Sequence, residues 1–298
     1  MKAFFYLIVM SVLFSSTAFA SDLDNITLTD FSSNKVINLS NFDNTKPTYI
    51  KLWATWCQPC MEQMPHFQRI NEKYSDKVNI LAVNININEN TKFIDDVIAK
   101  FGLTMPVLLD NEGKLSEALG LVGTPFSVLI NTNHQIVYTT HDSNNILDSF
   151  IDRLAKGEKL TSEGGKALTA KEKKNIILPW QKGNHTLFFT ATWCDWYLKD
   201  SRPEMANACE KIQSNISQFY EQSENKQWHG FVNHLWTDQK ALSDFITLYD
   251  ISLPVDIDNG GVLFTHFNIR SIPTIIKNNN GQVIERLTGD EILTLKAE

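Results

Sequence analysis

Two cysteines separated by two residues, Cys57-Gln58-Pro59-Cys60, are the part of this 298-residue chain best suited to chemistry. At the start of a helix, the first thiol of such a pair lies among backbone N–H groups that lack intrahelical partners, at the positive end of the helix. Those surroundings favour the thiolate, the form that attacks disulfides, so Cys57 reads as the nucleophile. Cys60, one turn further on, can reach back and resolve a mixed disulfide. Pro59 suits the first helical turn because its φ is already fixed near the helical value. A bare CxxC can also be half of a zinc site, but that needs two more Cys or His ligands close by. Only His66 stands near, inside the expected helix, where a lone histidine is more often a surface residue. Neither a metal nor a bound cofactor is expected.

For the pair to work, a strand must end at Cys57 and a helix must begin after it. The β-rich run Thr48 to Trp53 supplies the strand, and residues 58–74, with Pro65 inside, read as the helix. Short alternating runs at 26–29 and 35–39 precede them. A buried strand follows at 78–86, then a helix at 91–101 with Phe93, Ile94, Val97, Ile98 and Phe101 on one face. Pro106 to Leu109, a short helix near 115–119, strands at 126–130 and 135–140 and a helix at 145–156 complete the segment. Asn131 to His134 is the turn between the two late strands. Strands alternating with helices and ending in two adjacent strands predict a mixed sheet with helices on both faces.

The plan then repeats. Residues 186–194, Thr-Leu-Phe-Phe-Thr-Ala-Thr-Trp-Cys, parallel residues 49–57, Tyr-Ile-Lys-Leu-Trp-Ala-Thr-Trp-Cys. Ile272-Pro273-Thr274 likewise parallels Thr124-Pro125-Phe126, each before a strand. In the second copy Tyr197 stands where the resolving cysteine would be, so a local dithiol cycle is impossible there. The remaining thiol, Cys209, would lie about 22 Å from Cys194 along one unbroken helix, whereas a disulfide needs Cα atoms roughly 4.4–6.8 Å apart. Cys194 and Cys209 are therefore possible secondary thiols with three open roles. They are bystanders in a degenerate binding domain, or a disulfide made by a chain reversal near Pro203, or Cys194 acts alone as a monothiol. A metal site drawn from them with His185 or His266 has no motif spacing. The aromatics of residues 215–236 (Phe219, Tyr220, Trp228, Phe231 and Trp236) read as core, the usual place for such a cluster.

Composition bounds the rest. A net charge of −7 without long runs of one sign disfavours a nucleic-acid or anionic-membrane binder. Lys2, an apolar stretch from Phe4 to Phe14 and Ala18-Phe19-Ala20 have the grammar of an export signal cleaved after Ala20. The stretch is too short to span a bilayer comfortably, so an uncleaved anchor is the weaker reading. The division expected is 1–20 signal, 21–157 redox domain, 158–175 polar linker and 176–298 degenerate second domain.

Residues 53–60, Trp-Ala-Thr-Trp-Cys-Gln-Pro-Cys, then Met64-Pro65 and Gly123-Thr124-Pro125, resemble the thioredoxin superfamily, and more closely its exported TlpA/ResA branch. The resemblance covers essentially residues 24–155. It implies an α/β fold of two tandem thioredoxin-like domains, each a mixed central sheet flanked by helices. It implies Cys57 as an exposed nucleophile, Cys60 as a buried resolving thiol, and Pro125 as a cis proline facing them. Thr124 would leave its backbone free for an extended substrate, with Trp56, Gln58 and Pro59 completing the contact surface. Its partners would be cysteine-containing exported proteins and a membrane thiol–disulfide electron donor; oligomeric state is left open. Two departures stand out. Lys51 occupies the place of thioredoxin's buried acid, and Gln63 that of the branch's glutamate. Lys51 either holds a thiolate by charge or packs its stem and snorkels to water. The rival readings are an oxidase or isomerase of the same fold and a non-catalytic redox-regulated binding or chaperone module.

Overall fold

A computed structural model describes Leu23 and residues 25–161 and 168–295. The export-signal reading of residues 1–20 lies outside them, as does part of the expected linker.

The first sheet has seven strands in the order β2-β1-β5-β4-β3-β6-β7. They are β1 (Thr27–Asp30), β2 (Val36–Asn38), β3 (Thr48–Trp53), β4 (Asn79–Asn84), β5 (Val107–Leu109), β6 (Phe126–Ile130) and β7 (Ile136–Thr140). The central strands β3, β4 and β5 run parallel, while β6 and β7 return antiparallel on one side and β1 and β2 on the other. Strand β3 is buried on both faces: Tyr49 to Trp53 are all buried, four of them apolar or aromatic and the fifth Lys51. The helices are α1 (Gln58–Tyr74), α2 (Thr91–Phe101), α3 (Lys114–Ala118) and α4 (Asn145–Ala155). Their ends follow local chemistry. The Asn90 side chain accepts the Phe93 N–H to start α2, and Gly102, at φ 59°, ends it in the left-handed region that suits glycine.

The second sheet has five strands in the order β10-β9-β8-β11-β12. These are β8 (Asn184–Thr190), β9 (Trp228–Asn233), β10 (Val255–Asp258), β11 (Thr274–Asn279) and β12 (Gln282–Thr288). Strands β8, β9 and β10 are parallel and β11 and β12 antiparallel, the same core order as in the first sheet. Helices α5 (Ala170–Ile177), α6 (Cys194–Tyr197), α7 (Pro203–Gln222), α8 (Gln239–Leu248) and α9 (Val262–His266) accompany it. Two mixed sheets with flanking helices are thus two thioredoxin-like units.

Details recur between the units at matching places. Asp110 accepts the N–H groups of Leu115 and Ser116, and Asp258 those of Leu263 and Phe264. Thr124–Pro125 and Ile272–Pro273 are both cis. One apolar cluster runs from Leu28 in the first unit to Ile276 in the second, so the units share a core rather than hang on a tether.

Two expectations change. The stretch 158–175 is not wholly irregular: Thr169 and Glu172 form a reciprocal capping box that starts α5 within it. Lys173 of that helix pairs with Glu117 in the first unit. Of the expected aromatic core, Trp228 and Phe231 are buried, but Trp236 is 43% exposed because it leaves the second unit to pack on the first.

Candidate active site

Cys57 is the N-cap of α1, and its sulfur accepts the Cys60 N–H at 3.2 Å. Strand β3 delivers the chain to this point, and Pro59 sits within the first turn. Cys57 and Cys60 are bridged. A sulfur held at a helix start by a backbone N–H is a thiolate site once the bridge opens.

The expected exposure of Cys57 is not found: it and Cys60 are both 0% exposed, although Gln58 and Pro59 between them are exposed. The second unit packs on the residues that flank Cys57. The Trp56 ring stands 5.1 Å from that of Trp193, 5.9 Å from Trp236 and 6.4 Å from Tyr197. The Gln58 N–H donates to the Tyr197 hydroxyl at 3.3 Å. Arg202 donates to the Thr55 hydroxyl at 2.7 Å and lies 3.6 Å from the centre of the Phe93 ring. Thr55 in turn binds the Glu89 carboxylate through its N–H and hydroxyl. Burial raises the Glu89 carboxyl above its ordinary pKa, against the opposing effect of these hydrogen bonds.

The interface is reciprocal. Trp56 Nε1 donates to the Ile87 carbonyl and Trp193 Nε1 to that of Leu235. The residue after each carbonyl then crosses to the other unit. Asn88 N–H donates to the Arg270 carbonyl at 2.9 Å, and Trp236 N–H to the Val122 carbonyl at 3.1 Å. Arg270 and Val122 each lie three residues before a cis proline. The two units therefore meet about a pseudo-two-fold axis, as two subunits would in an isologous dimer. His234 adds an Nε2–H bond to the Leu121 carbonyl, and burial lowers its pKa, which keeps it neutral.

Beside the motif a cleft of about 620 Å³ opens between the units. Pro59 and Thr124 line it from the first unit; Trp193, Trp196, Tyr197, Trp236, Phe245 and Leu248 line it from the second. Thr124 is 2% exposed and its hydroxyl has no hydrogen-bond partner among the described residues. The structure thus gathers Trp56, Cys57, Gln58, Pro59, Cys60, Thr124 and Pro125 at one end of the first sheet.

Lys51 lies beneath the motif and is wholly buried, so its ammonium does not snorkel to water. It donates to Gln63 Oε1 at 2.7 Å, to Ser143 Oγ at 3.3 Å and to Ser127 Oγ at 3.4 Å, all neutral acceptors. Burial pushes its pKa down to about 7. His66 meets Asp148 at 2.8 Å, a part-buried pair away from the thiols.

Cys194 and Cys209 are bridged and fully buried. Helix α6 ends at Tyr197 and α7 starts at Pro203, and the reversal between them brings the two Cα atoms to 6.0 Å. Cys194 is therefore not a bystander thiol in this form. Gln213 Nε2 and the Thr190 hydroxyl sit at its sulfur, at 3.3 and 3.7 Å.

Sequence reasoning missed Tyr197, Arg202 and Trp236 as neighbours of the motif. The repeated Ala-Thr-Trp-Cys string was a signal for Trp193 and its surroundings; Trp236 had none.

A helix-start disulfide at the end of a mixed sheet, with a cis proline beside it, defines a thioredoxin-like redox domain. Residues 18–150 match the Redoxin family model. Sporulation thiol-disulfide oxidoreductase A of Bacillus subtilis is 33% identical over 94 residues, 31% of this chain and 57% of that protein. Thiol-disulfide oxidoreductase ResA of Bacillus thuringiensis subsp. konkukian is 29% identical over 114 residues, 38% of this chain and 64% of that one. The chain thus spans about three fifths of the length of these curated relatives. The crystal structure of StoA from Bacillus subtilis is 26% identical, with a TM-score of 0.36, covering 43% of this chain and 92% of that one. The first unit is thus similar to the Redoxin family and to the TlpA/ResA-like thiol–disulfide oxidoreductases, and a second unit on the same plan follows it.

Proposed function

We propose that the chain is an exported thiol–disulfide oxidoreductase that reduces disulfides of exported proteins through Cys57 and Cys60. The observation that carries this reading is the placement of the Cys57 sulfur at the start of α1, bonded by the Cys60 N–H and bridged to Cys60. In the reduced protein the Cys57 thiolate attacks a client disulfide, forming a mixed disulfide and expelling one client thiolate, which takes a proton. Cys60 loses its proton and attacks the Cys57 sulfur, expelling the second client thiolate. Two electrons pass to the client and the Cys57–Cys60 bridge is restored. A membrane dithiol donor reduces that bridge again.

Export is supported by the signal-like grammar of residues 1–20 and by two disulfides, which persist in oxidising compartments. No described helix is long and apolar enough to cross a membrane. The working division is a redox domain over 21–157 and a degenerate domain over 176–298 that covers the dithiol. Trp56, Gln58, Pro59, Thr124 and Pro125 form the client contact surface, with Pro59 and Thr124 lining the cleft.

The reduction potential of the pair, measured in glutathione buffers on the Cys194→Ala, Cys209→Ala protein, tests the direction. A value near thioredoxin's, about −270 mV, is expected. A value near that of DsbA, about −120 mV, would reverse the assigned electron flow.

A further inference from the structure

Tyr197 stands three residues after Cys194, the place a second CxxC would give to its resolving thiol. Its hydroxyl serves the other unit instead. It accepts the N–H of Gln58, the residue bonded to Cys57, at 3.3 Å. The ring is fixed there by Trp56, Trp193 and Trp236, with centroids at 6.4, 6.1 and 6.1 Å. The hydroxyl proton has no acceptor among the described residues, and burial raises the phenol's pKa, so it stays protonated at neutral pH.

Reduction places a negative charge on the sulfur of Cys57, whose carbonyl carbon is bonded to the Gln58 nitrogen that this hydroxyl meets. We infer that Tyr197 is a positioning residue lent by the second unit to the first, a hydrogen-bond donor that stabilises the Cys57 thiolate. This rests on the redox reading of Cys57–Cys60. In the disulfide form Cys60 N–H already points at the sulfur; in the thiolate form the Tyr197 O–H joins it. A hydrogen bond to the charged form lowers a thiol's pKa and stabilises the reduced pair. The other charged or titratable groups around the motif are Glu62 on α1, Glu89 and Arg202 at Thr55, and Lys51 below. None of these replaces a donor at Gln58. A degenerate second motif thus acquires a use: where a thiol of its own would stand, it sets a hydroxyl against the first turn of its partner's motif.

The test is Tyr197→Phe, which keeps the ring and removes the oxygen. The pH dependence of Cys57 alkylation is followed by mass spectrometry in the Cys60→Ser background. The potential of the intact pair is measured in glutathione buffers. The expected result is a Cys57 pKa raised by about one unit and an equilibrium shifted about tenfold toward the disulfide, about 30 mV for a two-electron couple. An unchanged pKa and potential in Tyr197→Phe would overturn the inference, and a shift seen only in Tyr197→Ala would reduce the residue to ring packing. A wild-type pair that never exchanges with glutathione would overturn the proposed function, while the alkylation profile would still decide the role of Tyr197.

Discussion

The rings of Trp56 and Trp193 stand 5.1 Å apart, and each belongs to an Ala-Thr-Trp-Cys string at the end of a buried strand. They lie where the two units meet face to face. The face that a free thioredoxin-like domain would present to a client is here covered by a copy of itself. Cys57, between Trp56 and Gln58 at this interface, has no exposed surface.

Gly123 sets how closely the cover fits. A β-carbon there would lie 2.5 Å from Trp236 Nε1 and 2.9 Å from two carbons of the same ring, so Gly123→Ala forces the indole to shift. With Trp236 displaced, Cys57 of the reduced protein should be alkylated several-fold faster than in the wild type. Equal alkylation rates would show that Trp236 does not guard the thiol.

Lys51 makes stability depend on pH. Its pKa falls from 10.5 unfolded to about 7 folded, so between these values the unfolded chain binds a proton that the folded one does not. Stability therefore rises with pH across about pH 7–10, by up to about 1.4 kcal/mol per unit; the penalty of burying the ammonium is complete below about pH 7 and is relieved as pH rises towards 10. Urea unfolding of the wild type and Lys51→Met at several pH values isolates it. The difference between the two proteins should narrow toward high pH, as Lys51 becomes neutral. A difference independent of pH would mean that Lys51 does not titrate in this window.

The Cys194–Cys209 bridge closes a loop of fifteen residues. Replacing both cysteines by alanine should cost about 3 kcal/mol of unfolding stability by loop-closure entropy. Turnover at Cys57 should persist in the folded protein. Loss of turnover without loss of stability would instead make this bridge part of the redox cycle.

The fold was legible because its signals are local. Periodicity located α2 at residues 91–101, and an apolar run ending in Trp-Cys located both β3 and β8. The dithiol was equally plain, since two cysteines at this spacing have few other uses. What could not be read were relations across the interface. Tyr197 looked like a lost cysteine and Trp236 like core, because nothing in either neighbourhood states which surface will cover it. The burial of Cys57 was hidden for the same reason. Lys51 was ambiguous until Gln63, Ser127 and Ser143, distant in sequence, were seen to satisfy its ammonium.

The central claim is that Cys57 attacks and Cys60 resolves. The most direct test is to incubate reduced Cys60→Ser protein with a disulfide-containing exported protein and map the covalent adduct by mass spectrometry. A mixed disulfide at Cys57, absent from Cys57→Ser, is the expected result. No adduct, or one carried by Cys194 or Cys209, would contradict the assignment.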